Sequence, residues 1–247
     1  MPPRLLVIPC AGSGERFRRS GGRGKKQFLE LAGLPVFLHV LRLFEAVPEF
    51  TETVLVVSPE DEAVFREWLS PMVLDARGLP ASLARTRLVH GGRERFESVY
   101  AGLHALQADS GTVFIHDAAR PLLHPDDLRL LIRESTGFDG GLLPGEPLRD
   151  TVKRVDGEGW VEDSPPRKSL MAVSTPQIFP LGALRKAYEA VLHRRLGPDP
   201  TDDAEVFTRA GGRVRVIALA HPNPKITTTD DLDGARLLLN RRASTTV

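Results

Sequence analysis

The sequence predicts an α/β fold, a mostly parallel sheet with helices on both faces, and three observations agree on it. Short β-prone runs alternate with amphipathic segments along the chain. The runs are apolar nearly throughout instead of alternating, as strands buried on both faces are. Several of them end in glycine pairs or charge, and open parallel sheets bind ligands beyond the carboxyl ends of their strands. The expected architecture is therefore a Rossmann-like three-layer α/β/α sandwich.

Taken in order, Leu5 to Pro9 is an aliphatic run closed by proline and reads as the first strand. Val36 to Ala46 follows as a helix with apolar residues at helical spacing. Thr53 to Ser58 is a second strand, Glu60 to Leu69 its helix, and Thr86 to His90 a third strand ending at two glycines. The helix Glu94 to Leu106 comes next, then strand Thr112 to His116, helix Pro125 to Glu134 with proline at its first turn, and strand Gly140 to Pro144. Helix Leu181 to Leu192, strand Val214 to Leu219 and helix Thr229 to Asn240 complete the rhythm. One stretch breaks it. Within Glu146 to Ser169, two β-prone runs flank Asp156-Gly157 and read as a hairpin. With little apolar content to fold against its own domain, the hairpin is expected to project as a dimerisation arm, in preference to a plain surface excursion. The domain assignment is one unit over 1–247 with 146–169 as that arm.

Composition sets bounds on function. A chain of 247 residues, 41% hydrophobic and 26% charged, is an ordinary globular sequence with room for one sizeable core. Its 33 Lys+Arg against 32 Asp+Glu leave a net charge of +1, which gives no long-range pull toward nucleic acid or an anionic membrane. Neither is expected as a partner, so any phosphate recognition must be local. The single cysteine, Cys10, excludes an internal disulfide and a multi-thiolate zinc site, which points to a reducing compartment. No apolar run is long enough for a bilayer and no signal-peptide pattern opens the chain, so a cytoplasmic setting is expected.

Three motifs carry chemistry. At the first strand's end, Ala11-Gly12-Ser13-Gly14-Glu15-Arg16 leads into a basic, glycine-rich loop closing on Lys25-Lys26-Gln27-Phe28. Glycines let backbone N–H groups approach phosphate oxygens while fixed cations neutralise them. It is not a Walker loop, because Gly12 and Gly14 are too close and no Ser or Thr follows Lys26. It is not a dinucleotide fingerprint either, because Phe17 occupies the place of the third small residue. Arg18 to Lys26 reads as a flexible lid. The second motif is His116-Asp117-Ala118-Ala119-Arg120-Pro121: Asp117 can position a hydroxyl or a metal-bound water, and Arg120 can grip phosphate, the plainer alternative being a helix cap with a surface ion pair. In the third, His90-Gly91-Gly92-Arg93-Glu94-Arg95-Phe96-Glu97-Ser98, paired glycines let main-chain groups meet a pyrimidine edge and Ser98 adds a hydroxyl. The alternative there is a solvated helix face of Arg93, Glu94, Arg95 and Glu97. His90, His104 and His116 read as structural or surface histidines. Thr201-Asp202-Asp203 reads as a helix N-cap able to meet an anion as well.

As an ordered set these motifs, with Arg149-Asp150-Thr151-Val152-Lys153, Thr175-Pro176-Gln177 and Thr201-Asp202-Asp203, resemble the 2-C-methyl-D-erythritol 4-phosphate cytidylyltransferase family from about Leu5 to Leu238. The resemblance implies the nucleotide-diphospho-sugar transferase fold, CTP and a polyol phosphate as substrates, Mg2+ or another divalent cation held mainly through the CTP phosphates, and a homodimer through the 146–169 arm. By position, it assigns Arg16, Lys26 and Lys225 to the reacting phosphates. Cys10, Ala11, Gly12, Ser13 and Gly14, with Gly92, Ser98 and Ala118, would bind CTP. Asp117, Arg120, Thr175, Thr201 and Lys225 would hold the methylerythritol phosphate, with Thr151 and Arg167 reaching across from the second subunit. Cys10 stands where alanine is commoner in that family and Arg93 where aspartate is frequent, so the expected reader of the base is the main chain at Gly92. The implied reaction transfers CMP from CTP to the acceptor in the non-mevalonate isoprenoid pathway. The alternatives weighed against it are a ribitol 5-phosphate cytidylyltransferase and a non-catalytic nucleotide-binding module; an NAD-dependent reductase would require the missing third glycine.

Overall fold

The structure, a computed structural model, describes residues 2–12, 14–22, 24–194 and 198–245. Among them the chain forms β1 (Arg4–Pro9), α1 (Glu15–Arg19), β2 (Glu30–Leu31), β3 (Leu34–Pro35), α2 (Val36–Glu45), β4 (Phe50–Val57), α3 (Glu62–Trp68), α4 (Pro71–Ala76), β5 (Arg87–His90), α5 (Arg95–Ala105) and β6 (Thr112–Ile115). There follow α6 (Pro125–Ser135), β7 (Gly141–Pro147), β8 (Arg154–Val155), β9 (Val161–Asp163), β10 (Met171–Val173), β11 (Gln177–Pro180), α7 (Leu181–Arg194), α8 (Asp203–Arg209), β12 (Val214–Ala218) and α9 (Thr229–Thr245).

The main sheet runs β10-β7-β11-β6-β1-β4-β5, with β12 also paired to β7. Parallel pairs join β1 to β4 and β6, β4 to β5, and β12 to β7. Only β10 and β11 run against their neighbours. The carboxyl ends of β1, β4, β5, β6, β7 and β12 consequently share one end of the sheet, and the glycine and charge motifs gather there. Each expected strand and helix is present, shifted by a few residues at its ends.

Burial on both faces explains the unbroken apolar runs. Leu6 and Ile8 of β1 pack with Leu55 against Phe37 and Phe44 of α2 and Leu128 of α6. Their neighbours Leu5 and Val7 pack with Val54 and Val56 against Val99 and Leu103 of α5 and Tyr188 of α7. Burying one such aliphatic side chain is worth roughly 1.5–3 kcal/mol, so β1 alone anchors both layers. The helix α5 lies very close to the sheet: a Cβ on Gly102 would come within 2.5 Å of Val7 Cγ1 and 2.8 Å of Val56 Cγ2. No helix among the described residues is long and apolar enough to cross a membrane.

Several elements differ from the expectation. The loop after Gly14 begins with the short helix α1, whose Phe17 is buried, and Gly22 N donates to Phe17 O at 3.1 Å. Asp117 caps no helix, because Asp117 to Arg120 forms a tight turn, Arg120 N donating to Asp117 O at 3.0 Å. Strands β2, β3, β10 and β11 and the helices α1 and α4 were not expected as elements, and α8 was expected only through its cap. The β8 and β9 strands pair antiparallel as a separate two-stranded ribbon, and Val155, Trp160 and Val161 on it are exposed.

Candidate functional site

Main-chain bonds fix four segments around one pocket. Cys10 N donates to Val56 O at 2.6 Å and Gly91 N to Val57 O at 2.9 Å, so the turns after β1 and β5 lie side by side. His116 N donates to Val7 O at 3.0 Å, and Ile226 N to Ala119 O at 2.8 Å, which ties the segment carrying Lys225 to the turn after β6. The pocket they enclose is lined by Cys10, Ala11 and Gly12, by Gly92 and Ser98, and by Asp117, Ala118, Lys26 and Lys225. These residues, chosen from scattered motifs, are thus brought to one place.

Close approach explains the glycines. A Cβ on Gly91 would sit 2.5 Å from Ser98 Oγ and 3.0 Å from Ala11 Cβ, and one on Gly92 would sit 2.4 Å from the Glu97 side chain. Gly14 has a φ of +69°, the left-handed region that favours glycine, and its open face lies against the backbone of Lys25 and Lys26. Glu94 and Glu97 form a reciprocal capping box at the start of α5, so carboxylates already satisfy that helix N-terminus. Ser98 Oγ donates toward Glu94 O at 3.2 Å and Gly92 O at 3.5 Å, which ties the start of α5 to the glycine turn.

Asp117 is the electrostatic centre. It is buried, and its Oδ2 accepts from Lys225 Nζ at 2.6 Å while Oδ1 accepts from Arg95 Nε at 3.2 Å; Arg120 Nε lies 3.8 Å from Oδ2. Burial alone would push the carboxyl up, but Arg95, Lys225 and Arg120 outweigh it and hold Asp117 far below the usual carboxylate range. The carboxylate is ionised and fixes the Lys225 ammonium in place. Arg95 also donates from Nη2 to Asp203 Oδ2 at 2.8 Å, and Asp203, fully buried, accepts from Tyr188 Oη at 2.6 Å. A chain of charges thus runs from Asp203 of α8 through Arg95 of α5 and Asp117 to Lys225, with the neutral Tyr188 hydroxyl of α7 at its start.

Behind Asp117 lies a fully buried imidazole. Asp117 N donates to Thr175 Oγ1 at 3.0 Å, Thr175 Oγ1 lies 3.2 Å from His116 Nδ1, and His116 Nε2 lies 3.0 Å from Arg120 O. A carbonyl can only accept, so Nε2 carries a proton, and because burial favours the neutral ring, Nδ1 accepts from the Thr175 hydroxyl. Burial lowers the His116 pKa from 6.5 to about 4. Because the folded value lies below the unfolded one, this contribution to stability is whole above pH 6.5 and is lost as pH falls toward about 4. Folding free energy measured by urea denaturation should fall through that window, and His116→Gln, which cannot titrate, should show a shallower fall. His39 and His124 are lowered in the same direction, burial being the first cause in each, so the difference between the two proteins isolates His116.

A second pocket adjoins the first. It is lined by Arg120, Glu146 and Arg149, by Ser174, and by Asn223 and Lys225. Arg120 Nη1 donates to Asn223 O at 2.6 Å and Asn223 Nδ2 to Thr175 O at 2.7 Å. Lys225 lines both pockets.

The remaining expected residues fall elsewhere. Thr201 is exposed and bonds to Glu205 Oε2 at the start of α8, where Asp202 caps by accepting from Glu205 N at 2.8 Å. Thr151 and Arg167 are exposed on the excursion, with Arg167 Nη1 donating to Arg149 O. Ser13 and the Arg16 side chain lie outside the described residues. The Cys10 thiol is pushed up by burial and by Asp117, which leaves it a protonated wall of the pocket. Among the described residues, no group of three or more His, Cys, Asp or Glu side chains is placed to hold a metal ion.

Residue-by-residue reading missed Arg95, Asp203, Asn223 and Gln27. Arg95 stood in a run read alternatively as a solvated face, yet it is tied to two buried carboxylates, while Arg93 is exposed. Gln27 is buried and donates to Cys10 O at 3.0 Å, a contact that an isolated Lys-Lys-Gln-Phe string does not announce.

Comparisons with known proteins converge on one family and one fold. The family profile described as 2-C-methyl-D-erythritol 4-phosphate cytidylyltransferase matches residues 5–241. A protein of that name from Pelotomaculum thermopropionicum is 37% identical over 236 residues, covering 96% of this chain and 94% of its own length. Another from Halalkalibacterium halodurans is 38% identical over 235 residues, with 95% and 96% covered. Among solved structures, 4-diphosphocytidyl-2C-methyl-D-erythritol synthase from Anaerococcus prevotii superposes with a TM-score of 0.78 at 26% identity, covering 97% of this chain and 96% of that one. The 2-C-methyl-D-erythritol 4-phosphate cytidylyltransferase from Thermus thermophilus gives 0.72 at 27% identity, covering 96% and 98%.

Proposed function

The chain belongs to the 2-C-methyl-D-erythritol 4-phosphate cytidylyltransferase family, and from that premise we propose that the two adjoining pockets are where it transfers CMP from CTP to 2-C-methyl-D-erythritol 4-phosphate, releasing pyrophosphate for the isoprenoid pathway. One observation carries the assignment of sides: Lys225 borders both pockets and is held there by Asp117 at 2.6 Å. The α-phosphorus must lie between nucleotide and acceptor, and that is where this ammonium sits.

CTP occupies the pocket of Ala11, Gly12, Gly92, Ser98 and Ala118, with its triphosphate toward Lys26, Arg16 and the Gly14 turn. The acceptor takes the pocket of Arg120, with Asp117 and Thr175 behind it. A phosphate monoester has its second pKa near ~6, so the attacking oxygen is largely ionised at neutral pH and needs no general base. That oxygen attacks the α-phosphorus in line and pyrophosphate leaves. Arg16, Lys26 and Lys225 counter the negative charge that accumulates.

The divalent cation of this reading fits a site borne by the substrate. Asp117 is already engaged by Lys225 and Arg95, so phosphate oxygens supply the ligands, and the ion when bound neutralises charge on the triphosphate. The exposed Val155, Trp160 and Val161 of the ribbon support a homodimer in which the arm brings Thr151 and Arg167 to the partner's acceptor pocket. A cytoplasmic setting belongs to the same reading.

The test is pyrophosphate release from CTP and Mg2+ with either 2-C-methyl-D-erythritol 4-phosphate or ribitol 5-phosphate. Release with the former alone is expected. Release with ribitol 5-phosphate alone would overturn the acceptor assignment, and silence with both would overturn catalysis.

A further inference from the structure

Lys25 and Lys26 are adjacent but do different work. The Lys25 Nζ donates to Asp61 Oδ2 at 2.6 Å, to Glu60 Oε1 at 3.1 Å and to Ser58 Oγ at 3.3 Å. An ammonium has three donors, and all three are spent. Ser58 Oγ in turn donates to Asp61 Oδ2 at 2.7 Å, so the cluster closes on itself at the turn between β4 and α3. Burial opposes the charge on Lys25, but Asp61 and Glu60 outweigh it and raise its pKa above the ordinary lysine value. Lys25 has no donor left for a phosphate.

The neighbours of Lys26 are pinned in three directions. Lys25 reaches the β4 turn, Gln27 reaches Cys10 O at the end of β1, and the Phe28 ring packs at 4.7 Å from Phe65 and 6.1 Å from Phe37. Gly14 lies against the backbone of both lysines. Gln27 and Phe28 fix the carboxyl side of Lys26, and Lys25 is the anchor on its amino side, next to Gly24, whose φ is +80°.

We propose that Lys25 is a positioning residue: its bonds to Asp61, Glu60 and Ser58 latch the basic loop against the β4–α3 turn and so aim Lys26 into the nucleotide pocket. The proposal rests on the cytidylyltransferase reading for the role of Lys26, while the latch itself is a property of the free protein.

Two readouts on Lys25→Ala, Asp61→Asn, the double variant and Lys25→Arg test it. In the nucleotide-free protein, amide exchange at Phe28 and Leu29, whose N–H groups bond to Lys25 O and Lys26 O, should quicken by about tenfold in each single variant, as for a close charge pair. The double variant should be no faster than either, and Lys25→Arg should restore most protection. In turnover, kcat should fall about tenfold in Lys25→Ala, a milder form of the loss in Lys26→Ala, with KM for CTP changing less than about threefold and Lys25→Arg restoring most of the rate. Unchanged exchange in Lys25→Ala, or effects of Lys25→Ala and Asp61→Asn that simply add, would overturn the latch. Quickened exchange in a protein whose wild type turns over no CTP would uphold the latch and refute the cytidylyltransferase reading.

Discussion

Replacing Lys225 with alanine is expected to reduce kcat for pyrophosphate release by at least ~100-fold, the scale of removing one preorganised charge from a transition state. Lys225 lines both adjoining pockets, and Asp117 fixes its ammonium there at 2.6 Å. That preorganisation is why the loss falls on the transition state and not mainly on KM. The fold should survive, because Asp117 keeps Arg95 at 3.2 Å and Ile226 still ties the segment to Ala119. Lys26→Ala is expected to lose a similar factor. Steady-state kinetics with a thermal melt as the folding control decide the matter, and near-normal turnover in a folded Lys225→Ala protein would remove Lys225 from the chemistry.

The largest effect on stability is expected at Asp203. Its carboxylate is fully buried and accepts from Tyr188 Oη at 2.6 Å and from Arg95 Nη2 at 2.8 Å. Removing one partner of a buried pair leaves charge and polar groups without compensation, which costs about 3–5 kcal/mol. Asp203→Ala should therefore lower the folding free energy by that amount in urea denaturation. Tyr188→Phe, which deletes only one hydrogen bond to a charged group, should cost about 1.5–3 kcal/mol. A loss below about 1 kcal/mol for Asp203→Ala would mean that the pair is no more than a surface contact.

The parallel core was legible because its cause is local. Leu5 to Ile8 are all apolar, the pattern of a short strand covered on both faces, and the proline and glycine turn that follow keep the run too short for a helix. Strand β11 was not legible: it is four residues long, ends in Pro180, and exists through antiparallel pairing with β6 and β7. Nothing within Gln177 to Pro180 declares those partners. Helix α8 showed only its cap, Asp202, because Asp203 to Arg209 is too short for a clear helical period.

The site divides in the same way. Glycine turns at strand ends can be read from the string, since small residues before a helix start mean close approach of backbone to something. The charge chain cannot. Arg95 and Asp203 stand 108 positions apart, as do Asp117 and Lys225, and they meet only because α7 and α8 pack beside α5 and because Ile226 ties its segment to Ala119. The ordered resemblance to a family supplied Lys225 and Asp117, but it supplied neither Arg95 nor Lys25, whose work is to hold other residues in place.

The central claim is that an acceptor phosphate oxygen in the Arg120 pocket attacks the α-phosphorus of CTP beside Lys225. Phosphorus NMR of the reaction mixture with CTP, Mg2+ and 2-C-methyl-D-erythritol 4-phosphate tests it most directly. The account predicts a new diphosphate whose two phosphorus atoms couple to each other, appearing together with pyrophosphate and disappearing in the Lys225→Ala protein. Pyrophosphate accompanied by free CMP and unchanged acceptor, or orthophosphate in place of pyrophosphate, would contradict it.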